Sequence, residues 1–203
     1  MKRSLGARPL ICPTPAWIVG SYDKQGKPNG MTAAWGGICC SQPPCLAVSL
    51  RAATYTHGNL MERRAFTVSV PSQAQVKAAD YFGLVSGRDT DKFAATGLTA
   101  VRSDLVDAPY VQEFPLALEC RVVQIHELGL HTQFVGQILD VKADEDALDA
   151  VGLPDILKVR PIIFSPSDRE YYGVGGALGH AFTVGKEILG ISSAGYSISK
   201  AKQ

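Results

Sequence analysis

Short hydrophobic runs, separated by glycine, proline and other turn residues, fill the first two thirds of the chain. Runs of this length with turn residues between them predict β-strands, and their close spacing favours a barrel or a sandwich. A mainly β fold with a few flanking helices is therefore expected. The predicted strands are Ala16–Ser21, Met31–Ile38, Leu46–Leu50, Phe66–Val70, Leu116–Ile125 and Gln133–Val141.

The segment between the first two predicted strands is rich in turn residues. It contains Gly26, Pro28 and the pair Asn29-Gly30. Glycine and asparagine tolerate a positive φ, and proline fixes its own φ, so such a segment reverses the chain readily. We expect the first two strands to pair as an antiparallel hairpin, with Gly26, Pro28 and Asn29-Gly30 supplying its turn.

Three segments carry helix signals. Thr54 or Thr56 can cap a helix that runs through Arg63, because a threonine hydroxyl accepts a hydrogen bond from a first-turn amide. Ser72 can cap a second helix over Gln73–Leu84. The acidic and apolar residues of Asp144–Val151 predict a third, short helix.

Length and composition are typical of one folded domain. The chain has 203 residues, of which 46% are hydrophobic and 19% are charged, and one domain of this size buries a core. We therefore treat residues 1–203 as a single domain. Its last part, 173–203, is rich in glycine and is expected to be a loop-rich extension packed on the rest.

The charge balance and the hydropathy pattern exclude several classes of protein. Lysine and arginine total 20 against 19 aspartate and glutamate, so neither nucleic acid nor an anionic membrane surface is an expected partner. Prolines and Trp17 interrupt the apolar segment Leu10–Val19, and eighteen apolar residues never occur in succession. We expect neither a signal peptide nor a transmembrane helix, and hence a soluble, cytoplasmic protein.

Cysteine usage agrees with a reducing compartment. The odd number of cysteines, without a secretory signal, predicts free thiols rather than a disulfide framework. Cys39 and Cys40 are adjacent, with Cys45 five residues later, which is not the C-x-x-C spacing of zinc or thioredoxin-type sites. No metal site is expected, and the adjacent pair has either a redox role or a packing role.

Three segments could carry chemistry. Asn29–Trp35 leads into Leu46–Arg51, where small residues would let a planar ligand approach the backbone and the arginine could hold a phosphate. The loop Ser86–Phe93 could offer amides and a cation to an anion. His131 could handle protons near neutral pH. Taken singly, each segment also fits a purely structural role: a polar sheet face, a solvated loop and a strand-edge histidine.

Familiar catalytic motifs are absent from the sequence. The glycines of Gly173–Gly179 have the wrong spacing for a dinucleotide fingerprint, and too little chain follows them for the remaining βαβ unit. There is also no G-x-x-x-x-G-K-[ST], H-E-x-x-H or G-x-S-x-G. With these classes of enzyme excluded, the sequence is interpreted as a β-rich domain that binds a ligand.

Four separated motifs occur in the order of one family. They are N-x-M-T-x-A-W, then P-P followed by V-S-L-R, then T-Y, and then S-G-R-D-x-D-K-F with G-L-T close behind. In this order they resemble the flavin reductase family with an FMN-binding split barrel, and most closely its flavoredoxin-like branch. The resemblance spans Pro15–Tyr172 and includes Leu118-Glu119-Cys120 and the pattern L-G-x-H-x-x-F-x-G at Leu128–Gly136.

The resemblance implies a six-stranded antiparallel split β-barrel that forms a homodimer and binds FMN near the interface. It implies that Arg51 binds the FMN phosphate, that Lys92 is a second cation, and that the Thr32 hydroxyl reaches the polar edge of the ring. His131 matches the position associated with the nicotinamide or the open face of the flavin. The residues implied to contact the cofactor are Thr32, Ala33, Ala34, Trp35, Ser49, Leu50, Arg51, Thr54, Tyr55, Ser86, Gly87, Asp91 and Lys92.

Three functions follow from this resemblance. The first is hydride transfer from NADH or NADPH to FMN, which delivers reduced flavin to a partner oxygenase or electrons to another acceptor. The second is an FMN electron carrier that a protein partner reduces. The third, a barrel that has lost its flavin, is suggested by two departures from the family pattern, Ser41 and His57-Gly58; Ser69 is a further departure.

Overall fold

The computed structural model describes residues 1–189. Most of the regular structure consists of β-strands. The described strands are β1 Thr14–Pro15, β2 Trp17–Tyr22, β3 Pro28–Ala33, β4 Gly36–Ser41, β5 Pro44–Arg51, β6 Ala65–Val70, β7 Ala100–Arg102, β8 Pro109–Val111, β9 Leu116–Leu128, β10 His131–Ala143, β11 Ile162–Ser165 and β12 Glu170–Gly173.

Short helices connect and cover these strands. Turns of 3-10 helix occur at Gln73–Gln75, Glu145–Ala147 and Val184–Leu189. The described α-helices are α1 Tyr55–Arg63, α2 Val76–Leu84, α3 Lys92–Thr96 and α4 Ile156–Val159.

Seven strands form the main antiparallel sheet, in the order β3-β2-β6-β9-β10-β5-β4. A second sheet has the order β1-β11-β12, and β7 pairs with β8. The predicted mainly β architecture is thus confirmed, with one more strand in the main sheet than the resemblance implied. The extra strand arises because the predicted strand Met31–Ile38 is divided: β3 ends at Ala33, and β4 begins at Gly36 after the chain bends at Trp35.

The hairpin of β2 and β3 is antiparallel, as predicted. Its turn, however, is formed by Asp23–Lys27, where the Asp23 carboxylate accepts from the amides of Gln25 (2.9 Å) and Lys27 (2.8 Å). Of the predicted turn residues, Gly26 lies in this turn with a φ of +80°. The prediction is wrong for Pro28 and Asn29-Gly30, because these residues pair within β3. Gly30 is needed there for packing, since a Cβ would lie 2.4 Å from the Phe82 ring.

Two of the three predicted helices are present. Thr54 caps α1 by accepting from the His57 amide at 3.3 Å. Ser72 caps a 3-10 turn that continues into α2. The predicted helix Asp144–Val151 is wrong, since it contains only the 3-10 turn Glu145–Ala147. The Asp149 carboxylate accepts from the amides of Val151 and Leu153 (2.9 Å each), which favours a turn over a helix.

Hydrophobic side chains form one core on each face of β2, because successive side chains of a strand point to opposite faces. Val19 points into a core with Phe66 and Phe134. Ile18 points into the other core, which contains Phe82 of α2 and Phe93 of α3. The second core holds α2 against β3, and the candidate site lies beside this contact.

None of the helices within residues 1–189 combines the length and apolar character that crossing a membrane would require. The expected packing of the extension 173–203 on the domain stays a prediction, and its residues 190–203 lie outside the described part of the chain.

Candidate functional site

Two cavities adjoin at Gly83 and Leu84, near the end of α2. We call the first the polar cavity. It has a volume of about 280 Å³, and the residues that give it its character are Thr54, Tyr55, Ser86, Gly87, Arg88 and Lys92. We call the second the aromatic cavity. It has a volume of about 480 Å³, and its lining includes Thr32, Ala34, Trp35, Asp80, Phe164 and Tyr171.

The N-terminus of α1 opens into the polar cavity. Thr54 is fixed there because its amide and its hydroxyl both donate to the Arg51 carbonyl at 2.9 Å. The first amides of a helix lack intrahelical acceptors and carry a partial positive charge. Because Thr54 uses both of its donors on Arg51, the electropositive character of this wall comes from the next amides, those of Tyr55 and Thr56.

Ser86 and Gly87 form the opposite wall. The Ser86 hydroxyl accepts from the Arg88 amide at 3.2 Å, which closes the loop on itself. Gly87 lies so close to Asn29 that a Cβ would be 2.1 Å from its Oδ1. That oxygen is buried and has no hydrogen-bond partner, although the amide nitrogen of Asn29 donates to Thr56 Oγ1 at 2.9 Å.

Lys92 lines the polar cavity while remaining 4% exposed. Its Nζ donates to the carbonyls of Gly30 and Phe82, at 2.8 Å each. Burial lowers the pKa of Lys92 from 10.5 to about 8. An ammonium group has three N–H donors, so one donor remains for a ligand after these two bonds.

Arg88 is a cation that the sequence analysis did not select as a site residue. Its guanidinium lies 5.6 Å from the centre of the Tyr55 ring, and Nη1 donates to the Ala53 carbonyl at 3.4 Å. The Tyr55 hydroxyl donates to Asp23 at 2.8 Å, which holds the ring in place and raises the pKa of Tyr55. The S-G-R-D motif contains Arg88 between predicted site residues and was the available signal.

The aromatic cavity collects side chains from distant parts of the chain. The rings of Phe164 and Tyr171 pack against each other at 5.6 Å between centres with their planes tilted by 50°, and the Tyr171 hydroxyl donates to Asp80 at 3.0 Å. Burial, together with that hydrogen bond, raises the pKa of Tyr171 to about 12. Trp35 completes the lining from the bend between β3 and β4, and its carbonyl accepts from the Ser49 amide at 2.8 Å.

Four predicted site residues also have roles in the fold. The Thr32 hydroxyl donates to the Ala79 carbonyl of α2, so its one donor is used there and only its oxygen lone pairs are left for the polar edge of a ring. Contact of Thr32 with a flavin stays a prediction. Ala33 and Leu50 are buried in the core, which leaves only their backbone for a ligand. Asp91 accepts from the Ala94 amide at 3.1 Å and is the N-cap of α3.

Arg51 and His131 are brought together by the pairing of β5 with β10, where they are directly opposite each other. Arg51 is exposed, and His131 is half-buried at the start of β10. Neither residue, nor the half-buried Ser49, lines the polar or the aromatic cavity. The fold therefore groups Thr32, Ala34 and Trp35 in one place, Thr54, Tyr55, Ser86, Gly87 and Lys92 in a second, and Arg51 with His131 in a third.

Two of the departures from the family pattern have structural partners. A ring nitrogen of His57 lies 2.9 Å from Thr132 Oγ1, and the ring packs edge-on against Phe134. Burial lowers the pKa of His57. The Ser69 hydroxyl accepts from the Val111 amide at 3.1 Å in the interior. These residues serve the fold, and neither lines the polar or the aromatic cavity.

Within residues 1–189, His, Cys, Asp and Glu side chains nowhere form a group of three that could hold a metal ion.

Comparison with known families identifies the family of the chain. Residues 10–171 match the profile of the flavin reductase like domain. The chain belongs to this family.

Solved structures of family members superpose closely. The flavoredoxin of Desulfovibrio vulgaris (Miyazaki F) is 58% identical, with a TM-score of 0.88 over 92% of this chain and 100% of its own. Flavoredoxin from Methanosarcina acetivorans is 33% identical, with a TM-score of 0.86 over 93% of this chain and 100% of its own.

A putative flavin reductase with a split barrel domain from Shewanella frigidimarina has the same fold. It is 24% identical, with a TM-score of 0.76 over 84% of this chain and 87% of its own. The predicted split-barrel architecture is confirmed.

Proposed function

We propose that the protein is an FMN-binding oxidoreductase that accepts hydride from NADH or NADPH. It passes the electrons on as reduced flavin for a partner oxygenase or directly to another acceptor. The observation that carries this proposal is the junction of a cationic, amide-lined cavity with an aromatic one in a member of the flavin reductase like family.

The polar cavity suits a phosphate monoester. Arg88 and Lys92 supply positive charge, and the first amides of α1, at Tyr55 and Thr56, carry a partial positive charge. Charge-assisted hydrogen bonds from such groups are shorter and stronger than neutral ones, and helix N-termini bind phosphate groups. Gly87 lets the loop approach closely where a side chain would collide with Asn29.

The aromatic cavity suits a flat ring system. Trp35, Phe164 and Tyr171 provide apolar walls, while Ala34 leaves room at the β3–β4 bend. FMN, once bound, would supply a two-electron acceptor that no side chain provides. The task of Trp35, Ala34 and their neighbours is to orient this ring, exclude water and leave one face open to a donor. A nucleophilic side chain is not needed for hydride transfer.

We assign His131 to the nicotinamide side of the reaction, because it begins β10 and lines neither cavity. Arg51 lies opposite His131 in the sheet, and its carbonyl holds Thr54 in the wall of the polar cavity, so a contact of Arg51 with the FMN phosphate stays a prediction. If the assignment holds, His131→Ala slows reduction by NAD(P)H and leaves FMN affinity unchanged. Equal reduction rates in the wild type and the variant would contradict it.

A flavin electron carrier is the second candidate. The observation that favours it is the 58% identity to a flavoredoxin along that protein's whole length. In this role the same cavities hold FMN permanently, and the electrons arrive from a protein partner instead of a nicotinamide. The binding residues are common to both candidates, so the electron donor is what separates them.

A homodimer in the cytoplasm is also proposed. The hairpin joining β9 to β10 presents Leu128 and Leu130, which are 56% and 63% exposed, and Val123 nearby is 47% exposed. An exposed apolar patch of this kind is typical of a protein interface. Sedimentation equilibrium of the full chain should give twice the monomer mass, and a monomer would contradict the proposal.

The test of the proposed function is an anaerobic absorbance spectrum of the full chain after addition of FMN and then of stoichiometric NADH or NADPH. Bound oxidised flavin that bleaches within seconds is expected for the reductase. Bound flavin that stays oxidised with both nicotinamides identifies the carrier. If FMN does not bind, both candidates fail together.

A further inference from the structure

Three cysteines meet at the hairpin of β4 and β5, away from both cavities. Cys40 of β4 and Cys45 of β5 are directly opposite each other in the antiparallel register. Cys39 precedes Cys40 at a register shift between Ile38 and Cys40, where the edge strand has one more residue than its partner. In a β-bulge two residues on one strand oppose a single residue on the other, so Cys39 and Cys40 both face the position of Cys45.

Backbone geometry permits a bond between Cys40 and Cys45. Directly opposite residues of an antiparallel pair have Cα atoms about 4.5–5.5 Å apart. Disulfides span Cα separations of about 4.4–6.8 Å. All five cysteines are free thiols in the structure, so joining this pair requires side-chain rotation without separating the strands.

The two thiols differ in accessibility, which suggests different chemical tasks. Cys40 is exposed on the edge strand of the main sheet, whereas Cys45 is 5% exposed. Burial, with smaller contributions from the neighbouring Cys39 and Cys40 thiols, raises the pKa of Cys45. Attack on an external disulfide needs a sulfur that the disulfide can reach. The sulfur of Cys40 is accessible in this sense, and that of Cys45 is not.

We propose that Cys40 and Cys45 form a reversible dithiol–disulfide site that reacts with low-molecular-weight disulfides. The Cys40 thiolate attacks one sulfur of the external disulfide, forming a mixed disulfide and releasing one thiolate. Cys45 then loses its proton and attacks the Cys40 sulfur, which forms the Cys40–Cys45 bond and releases the second thiolate. The two protein thiols are oxidised by two electrons, and the external disulfide is reduced to two thiols that take up the protons.

Such a site would be separate from the flavin. A disulfide across β4 and β5 would tie the edge strand to β5, the strand that leads to Arg51 and α1. Cytosolic disulfides are usually transient and redox-sensing. The expected ligand class is therefore a small cellular disulfide such as oxidised glutathione.

The experiment uses the reduced full chain treated with oxidised glutathione, followed by intact-mass measurement and peptide mapping without reductant. In the wild type we expect a mass loss of two hydrogens per chain, with Cys40 and Cys45 in one linked peptide. Cys40→Ser should abolish this link, and because Cys40 is exposed the substitution leaves the core unchanged. Cys45→Ala should instead retain glutathione on Cys40.

Two matched controls separate this pairing from its alternatives. Cys12→Ser and Cys39→Ser each remove another exposed thiol and should leave the Cys40–Cys45 link intact. A link from Cys39 to either Cys40 or Cys45, a disulfide between two chains, or a wild type that stays fully reduced would each overturn the proposal. Added dithiothreitol should restore the starting mass, as a reversible site requires.

Discussion

The polar and the aromatic cavities are built in different ways. The polar cavity is held by backbone contacts: Lys92 binds the carbonyls of Gly30 and Phe82, and Gly87 packs directly on Asn29. The aromatic cavity is a meeting of side chains from β3–β4, α2 and β12, with Trp35 and Tyr171 as its walls. The first should therefore discriminate strongly by charge, whereas the second should accept flat rings with less discrimination.

Lys92→Met should have the largest effect, because it lowers both the stability of the fold and the affinity of the polar cavity for FMN. The loss of two buried carbonyl partners should lower the free energy of unfolding by about 1–3 kcal/mol, measured by urea denaturation. FMN affinity should fall as well. The exposed Lys77 of α2 offers a control, and an equal loss of stability in Lys77→Met would contradict the role given to Lys92.

Stability and FMN affinity should both depend on pH, because the pKa of Lys92 is lowered to about 8 from 10.5 in the unfolded chain. Between these values the unfolded chain binds more protons, so the free energy of unfolding contributed by Lys92 rises with pH. Over the same interval the Lys92 charge available to a phosphate is lost, and FMN affinity should fall. Both trends should disappear in Lys92→Met, and their persistence would assign them to other groups.

Arg88→Ala tests the cation that the structure places in the polar cavity. Removing a charge-assisted phosphate contact should weaken FMN binding by about 1.5–3 kcal/mol, measured by quenching of flavin fluorescence. Arg51→Ala is the matched comparison, because Arg51 is an exposed arginine that lines neither cavity. A larger loss of FMN affinity in Arg51→Ala than in Arg88→Ala would make Arg51 the main phosphate contact.

Trp35→Ala tests the aromatic wall. The loss of ring packing should weaken flavin binding by about 0.5–1.5 kcal/mol, and by the same amount for FMN and for riboflavin, which lacks the phosphate. A loss confined to FMN would show that Trp35 acts on the phosphate end. Isothermal titration with both ligands measures this difference.

Tyr171→Phe should have the smallest effect. It removes the hydrogen bond to Asp80 at 3.0 Å and should lower the free energy of unfolding by about 0.5–1.5 kcal/mol, while the ring wall remains. The variant should bind FMN with nearly wild-type affinity. A strong loss of binding would place the hydroxyl in contact with the flavin.

The pattern of the sequence was sufficient for the mainly β architecture, whereas the predicted residues that line the polar cavity came from the resemblance to the family. Short hydrophobic runs between turn residues and the caps at Thr54 and Ser72 are local signals, so the β-rich fold and helices α1 and α2 could be predicted. The bend at Trp35 could not, because it depends on the pairing of β4 with β5. The helix predicted over Asp144–Val151 is absent for a local reason: the Asp149 carboxylate binds the amides of Val151 and Leu153, and this turn outweighs the helix propensity of the segment.

Side-chain roles within the site depended on neighbours that are distant in sequence. The Thr32 hydroxyl donates to the Ala79 carbonyl, and Lys92 donates two hydrogen bonds to the carbonyls of Gly30 and Phe82. No spacing rule reveals these contacts. Arg88 was recognisable only as one charge of a loop until its position over the Tyr55 ring was known.

The most direct measurement compares the affinities of FMN and riboflavin for the wild type and for Arg88→Ala. Since the two ligands differ only in the phosphate, the wild type should prefer FMN. Losing a charge-assisted Arg88 contact of about 1.5–3 kcal/mol predicts that this preference falls by about tenfold to a hundredfold in Arg88→Ala, while riboflavin affinity stays the same. Lys92 and the N-terminus of α1 account for the preference that remains. Equal affinities in the wild type, or an equal loss for both ligands in the variant, would contradict phosphate recognition by the polar cavity.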